Sequence, residues 1–207
     1  MASQVAHIVY ASRYLEKYPV KNTDEFLLGA CFPDIRRIEP KIKRKDTHII
    51  FNDLNADLKY LEPFRAGWKF HLYCDMRREE ILNSYDFYKL PGTLEMWDLP
   101  NKLLEDEAVY GSCNNWEEVV SLFNNPSEIE IPNFVSRETF EFWCAILAKY
   151  FEKKPDSRTM RIFISKQPKL APMADDIVEI VDKLRKNDKV VRLLEKVKDE
   201  IVLQSEF

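Results

Sequence analysis

Three histidines and two aspartates in the first 75 residues are the side chains best suited to chemistry in this sequence: His7, Asp34, His48, His71 and Asp75. His71 and Asp75 are four residues apart on a predicted helix, so both side chains project from one face and can bind one cation. Neutral imidazole and carboxylate groups suit zinc, iron or manganese, and such sites form between facing helices of a bundle. The five residues together predict a metal site.

Each of these residues also has an ordinary structural explanation. A single histidine on a helix is most often a hydrogen-bonding partner. His71 and Asp75 alone could form an ion pair within their helix. Asp34, directly after Pro33, could cap a helix or turn. The metal-site hypothesis therefore rests on the five residues as a set.

Several neighbouring residues could complete a catalytic site. Arg36 and Arg37 follow Asp34 and begin a basic segment, so they are the candidate binders of a phosphoester substrate, although a solvated loop is an equally good explanation for the lysines that follow. Gly67 lies one turn before His71, where the missing side chain leaves room for a substrate or for a neighbouring backbone.

Glu107 falls inside an apolar stripe of the predicted helix that begins at Pro100. A buried carboxylate needs a partner, so Glu107 is a candidate ligand, histidine-orienting residue or general base. A salt bridge at the helix edge is the alternative explanation. Asp106 takes its place if the helix is rotated relative to this prediction.

The order of these residues resembles the zinc-dependent phospholipase C family, an all-helical family that also includes fungal single-strand-specific nucleases. The resemblance covers about residues 1–90 and lies in His7, the pairs Pro33–Asp34 and Thr47–His48, and the spacing Gly67-x-x-x-His71-x-x-x-Asp75. It implies that the five residues of the predicted site are metal ligands and that Asp34 bridges metals or acts as a base.

The chain also departs from the secreted members of that family, which bind three zinc ions through an N-terminal tryptophan and further histidine and glutamate ligands. Here Met1 and Ala2 stand at the start of the sequence, and no histidine follows His71. We therefore expect one or two metal ions, zinc or another divalent metal, and a helical bundle of the phospholipase C and nuclease type with additional C-terminal helices.

Composition restricts the class of protein. The chain has 207 residues, a net charge of −4, 45% hydrophobic and 32% charged residues, which is typical of a folded soluble protein. Only four glycines favour helices over a sheet with many tight turns. The mild acidity argues against long nucleic acids as partners.

The sequence also indicates where the protein is located. No signal sequence or apolar run of membrane-spanning length is visible. The four cysteines contain no Cys-x-x-Cys pair, which indicates reduced thiols, so we expect a cytoplasmic protein.

Apolar spacing predicts an all-α protein. Helices are predicted at about residues 5–18, from Asn22 to Gly29 or Pro33, and at 47–61, 63–85, 100–110, 116–123, 136–153 and 172–203, the last interrupted at Asn187. Residues 34–46 are predicted to be a loop. Met160, Ile162 and Ile164 alternate as in a short strand within residues 158–166. We expect a metal-binding helical domain over residues 1–155 and a C-terminal helical extension over 156–207 that packs on it.

These features predict a metal-dependent hydrolase of small phosphate esters, whether phospholipid headgroups, nucleotides or other phosphodiesters, that uses a metal-activated water. The alternative from another class is a non-catalytic helical protein in which the metal site is structural or vestigial and the charged C-terminal helices bind a protein partner. A di-iron oxidase is disfavoured because the Glu-x-x-His pairs of such bundles are absent. Nothing in the sequence predicts the oligomeric state.

Overall fold

The computed structural model describes residues 3–49, 58 and 60–201 of the chain. This part contains ten α-helices and no β-strand. The helices are α1 (Gln4–Lys17), α2 (Thr23–Cys31), α3 (Arg44–Thr47), α4 (Pro63–Ser84), α5 (Leu99–Val109), α6 (Trp116–Asn124), α7 (Arg137–Phe151), α8 (Ser157–Ser165), α9 (Ala174–Leu184) and α10 (Asp188–Glu200). The all-α prediction is confirmed. None of these helices is both long and apolar enough to cross a membrane.

Side-chain caps set several of the helix starts that the sequence predicts. The Asn22 side chain accepts a hydrogen bond from the backbone N–H of Glu25, and its amide donates to the Glu25 carboxylate. The Ser136 hydroxyl accepts from the N–H of Thr139 at the start of α7. Asn187 caps α10, where the interruption of the last predicted helix was placed. Such caps satisfy backbone N–H groups that have no partner within the helix.

Helices α2 and α4 cross so closely that two glycines are required at the contact. A Cβ atom on Gly29 would lie 2.0 Å from the carbonyl oxygen of Phe64, and one on Gly67 would lie 2.0 Å from that of Phe26. The space beside Gly67 is thus filled by neighbouring backbone. The sequence predicts that Gly29 and Pro33 mark the end of this helix, and α2 ends between them, at Cys31.

Helix α5 packs against α1, α9 and α10, and α10 also contacts α4. Several apolar side chains of α9 and α10, among them Val181 and Leu194, are fully buried. The proposed division at residue 155 stays a prediction.

Three local predictions are wrong. Residues 157–165, where a short strand was expected, form α8, because the buried residues Met160, Phe163 and Ile164 follow a helical spacing. Residues 34–46 are not a plain loop, because a 3₁₀ helix covers Phe32–Arg37 and α3 begins at Arg44. Thr47 ends α3 instead of beginning a helix, and most of the helix predicted over 47–61 lies outside the described residues.

Candidate metal centre

The structure brings the five candidate ligands together from four separate segments. His7 lies on α1, and His71 and Asp75 lie one turn apart on α4. Asp34 lies in the 3₁₀ helix that follows α2, and His48 directly follows α3. The donor atoms of His7, His71 and Asp75 all lie within 4.8 Å of one another, and so do those of Asp34, His48 and His71. Because His71 belongs to both groups, the five side chains form one cluster.

Distances within the cluster suit a shared cation better than direct hydrogen bonds. Asp75 Oδ1 lies 3.4 Å from His7 Nε2, and Asp75 Oδ2 lies 3.7 Å from the Nε2 atoms of both His48 and His71. Nitrogen–oxygen hydrogen bonds are shorter, about 2.7–3.2 Å. Two ligands on a tetrahedral zinc ion with bonds of about 2.0–2.2 Å are separated by about 3.3–3.6 Å.

Backbone contact sets the tautomer of His71. Its Nδ1 atom lies 2.8 Å from the carbonyl oxygen of Ala30, which can only accept a hydrogen bond, so Nδ1 carries the proton. Nε2 therefore directs its lone pair into the cluster. Burial lowers the pKa of His71 to about 3, with a further contribution from His7, so the imidazole is neutral near pH 7. A neutral imidazole with its second nitrogen hydrogen-bonded is the usual form of a metal-binding histidine.

His7 and His71 pack face to face, with ring centroids 3.8 Å apart and an angle of 14° between the rings. His48 stands edge-on to His71, at 5.6 Å. Among the described residues, the Nε2 atoms of all three histidines are buried and lack a hydrogen-bond partner. Leaving buried polar atoms unpaired is costly, and these atoms converge on one place. The cluster therefore fits a divalent cation.

Two guanidinium groups surround Asp34. Its Oδ1 lies 3.0 Å from Arg37 Nε and 3.6 Å from Arg36 Nη2, while Oδ2 accepts a hydrogen bond from Gln4 at 2.7 Å. Burial raises the pKa of Asp34, but Arg37, His71 and Arg36 lower it more, so this pKa lies well below its usual range. Arg36 and Arg37, predicted to bind substrate, thus contact a candidate metal ligand in this structure.

Glu107 lies apart from the cluster. Its two carboxylate oxygens are bound by the Arg185 guanidinium at 2.7–3.1 Å, in agreement with the salt-bridge alternative. The placement of Glu107 on the core-facing side of α5 is wrong, because Glu105 and Asp106 occupy that side and are both fully buried. The structure therefore offers no support for a catalytic role of Glu107.

A second group of buried polar residues lies on α1, α4 and α5 and is not predicted from the sequence. Arg78 follows Asp75 by one turn of α4, is fully buried, and binds the carboxylates of Glu105 and, at 2.8 Å, Asp98. The Tyr10 hydroxyl donates to Glu105 from α1. The only signal in the sequence is the helical spacing, because Arg78 lies seven residues after His71 and Gln4 three residues before His7.

Comparison with protein-family models, with curated proteins and with solved structures finds no match for this chain.

Proposed function

We propose that this protein is a metal-dependent hydrolase of phosphate esters that activates water at the cluster described above. The convergence of three buried histidine Nε2 atoms and two carboxylates on one place carries the proposal. A bound zinc ion lowers the pKa of a coordinated water to about 7 and polarises a phosphoryl oxygen, which is the chemistry that hydrolysis of a phosphate ester needs.

The residues divide into distinct roles by position. His7, His71 and Asp75 would hold one ion, with His48 and Asp34 completing its coordination or holding a second one. The single free nitrogen of His71 can serve only one ion, so a second ion would be left with His48 and Asp34 as its own ligands. Asp34 keeps its negative charge because its pKa lies well below the usual range. It is therefore better suited to bridging or orienting a water than to storing a proton.

The charge balance favours an anionic substrate. Asp34 and Asp75 contribute two negative charges, and Arg36 and Arg37 contribute two positive charges that cancel them. With neutral imidazoles, a divalent ion leaves the site with an excess of two positive charges, which attracts an anion such as a phosphate ester. Arg36, whose side chain is 21% exposed, is the better placed of the two arginines to contact it.

The proposed fold type is the phospholipase C and nuclease bundle. The basis for this proposal is the order in which the five candidate ligands occur along the chain. The all-helical architecture and the meeting of these residues at one site support it. Phospholipid headgroups, nucleotides and small phosphodiesters all share the phosphate group that this site would recognise.

A structural metal site is the second candidate function, and burial is the observation that favours it. His7, Asp34 and His71 have relative exposures of 0–1%. An ion enclosed by protein ligands stabilises a fold and leaves no position for a substrate water. In that case the protein would act through interaction with a partner.

One experiment separates the two functions. Metal content, hydrolysis of bis(p-nitrophenyl) phosphate and melting temperature are measured on the parent and on His71→Ala. The hydrolase proposal expects turnover that disappears with chelator and with His71→Ala. Glu107→Gln, outside the cluster, should keep both metal and activity. A metal-loaded parent without turnover, whose melting temperature falls steeply in His71→Ala, would favour the structural site.

A further inference from the structure

A groove between α7 and α8 forms a second concave site. Its volume is about 400 Å³, and none of the residues that line it belongs to the metal cluster. Helix α7 directs Trp143 and Tyr150 inward, where Trp143 donates to the carbonyl of Cys31 and Tyr150 to Asp106. Phe142 and Ile162, which line the groove from α7 and α8, are 56% and 47% exposed. Large apolar side chains facing each other across a concave surface are typical of a binding site.

The dimensions of the groove suit one extended chain. Its lining on α7 runs from Phe142 to Tyr150, which at about 1.5 Å per residue is about 12 Å. The groove volume of about 400 Å³ is small for a helix, which with its side chains is about 10–12 Å across. The stacked rings of Tyr150 and Phe163, 4.1 Å apart, form the floor.

Positive charge is concentrated at the groove. Among the residues that line the groove, Glu152 is the one carboxylate. The lining also contains four cationic side chains, Lys149, Lys153, Arg158 and Lys166. Lys149 pairs with Glu152 at 2.6 Å and Lys153 with Asp156 at 3.0 Å. Lys149, Lys153 and Arg158 flank the turn between the two helices, so this end of the groove holds three of the four cations. Lys166 is the single cation at the other end of α8, and apolar side chains line the groove between the two ends.

We propose that this groove binds a single-chain amphiphilic anion, such as a long-chain carboxylate. The apolar chain lies between Phe142 and Ile162, and the anionic headgroup lies at the end formed by Lys149, Lys153 and Arg158. An ion pair between an exposed cation and a free anion is weak in water. An apolar chain bound in the groove keeps the headgroup beside these cations and so raises its effective concentration there. This site is independent of the function proposed for the metal cluster.

The test is calorimetric titration of the full chain with dodecanoate below its micelle concentration. We expect one site per chain. Dodecyl maltoside, with the same chain and no charge, and butyrate, with the charge and a short chain, should each bind at least about tenfold more weakly. Equal affinity for dodecanoate and dodecyl maltoside would overturn the proposed role of the cations.

Variants locate the site. Ile162→Glu should abolish dodecanoate binding. Phe142→Glu, on the α7 side of the groove, should have the same effect and replaces the first variant if that one folds poorly. Leu94→Glu, at a position 72% exposed and outside the groove, is the matched control and should bind normally. Arg158→Ala should weaken binding about tenfold. Unchanged binding in the folded groove variants would overturn the proposal.

Two further outcomes would assign the groove to another occupant and also overturn it. One is a dimer in sedimentation equilibrium that Ile162→Glu dissociates, which would identify a second copy of the chain. The other is binding of an acidic amphipathic peptide in the absence of any binding of dodecanoate.

Discussion

The Nδ1 atom of His71 lies 2.8 Å from the carbonyl oxygen of Ala30, so the backbone of α2 orients a side chain of α4. This contact is available because the two helices approach until the backbones touch at Gly29 and Gly67. The close crossing therefore both packs the core and directs the free nitrogen of His71 toward the other candidate ligands.

Replacing Gly67 tests this relationship. In Gly67→Ala the new Cβ would meet the carbonyl oxygen of Phe26 at 2.0 Å, so α2 and α4 must move apart. We expect a loss of about 1–3 kcal/mol or more in the free energy of unfolding, together with weaker zinc binding because His71 loses its orientation. The measurements are urea unfolding and a zinc competition titration.

The matched control is Gly111→Ala. Nothing lies within 4 Å of a Cβ placed on Gly111, so this variant should unfold close to the parent concentration of urea and bind zinc normally. Equal behaviour of the two variants would show that the close approach of α2 and α4 is not required.

Removing the charge of Asp75 tests the shared cation. Its oxygens lie 3.4–3.7 Å from three histidine nitrogens, so Asp75→Asn keeps the shape of the site and loses the anionic ligand. We expect zinc affinity to fall more than about tenfold, and the rise in melting temperature on adding zinc to vanish. Without metal, the variant should melt within a few degrees of the parent. A parent whose melting temperature does not respond to zinc would contradict a metal site here.

The ion pair of Arg78 and Glu105 is the most deeply buried in the described part of the chain, with both side chains 0% exposed. Glu105→Gln leaves the Arg78 charge with Asp98 as its remaining carboxylate partner. Breaking a buried pair by removing one charge typically costs about 3–5 kcal/mol, so we expect a loss of that order in urea unfolding.

Glu107→Gln supplies the comparison on the same helix. Its partner Arg185 is 32% exposed, and a pair in contact with water contributes about 1 kcal/mol or less. Comparable losses in the two variants would mean that burial does not set the strength of these pairs.

Residue types and helical spacing were sufficient to predict most helices and to select five residues that the structure brings together, and the binding of a metal by these residues stays a prediction. His71 and Asp75 are separated by one helical turn, and this local geometry is visible in the sequence. The starts of α2, α7 and α10 follow from Asn22, Ser136 and Asn187, because a cap bonds to backbone only two or three residues away.

Predictions that depended on a distant partner failed. The sequence assigns Gly29 no role beyond marking the end of its helix, because the contact that requires a glycine there comes from Phe64 on another helix. Met160 and Ile164 fit both a strand and a helix in spacing, and the packing of Phe163 decides for the helix. The rotation of α5, which buries Asp106 in place of Glu107, depends on packing around its whole circumference.

Asp106 makes the stability of the protein depend on pH. It is fully buried, accepts hydrogen bonds from the N–H of Ala6 at 2.8 Å and the Tyr150 hydroxyl at 3.0 Å, and burial raises its pKa from 3.8 to about 7. At a pH between these two pKa values, Asp106 is ionised in the unfolded chain and protonated in the folded chain. The contribution of Asp106 to stability is therefore complete below about pH 4 and is lost as the pH rises through about 7.

Asp106→Asn removes this dependence, because an amide cannot ionise and its oxygen can still accept from Ala6. Urea unfolding at pH 5 and pH 8, with chelator present, should show a smaller loss of stability for the variant than for the parent. The difference should be a few kcal/mol at most, because a tenfold change in a proton-binding constant on folding corresponds to about 1.4 kcal/mol. Glu128→Gln, at an exposed loop position, should follow the parent. Parallel losses for the parent and Asp106→Asn would show that Asp106 is already ionised in the fold near pH 5.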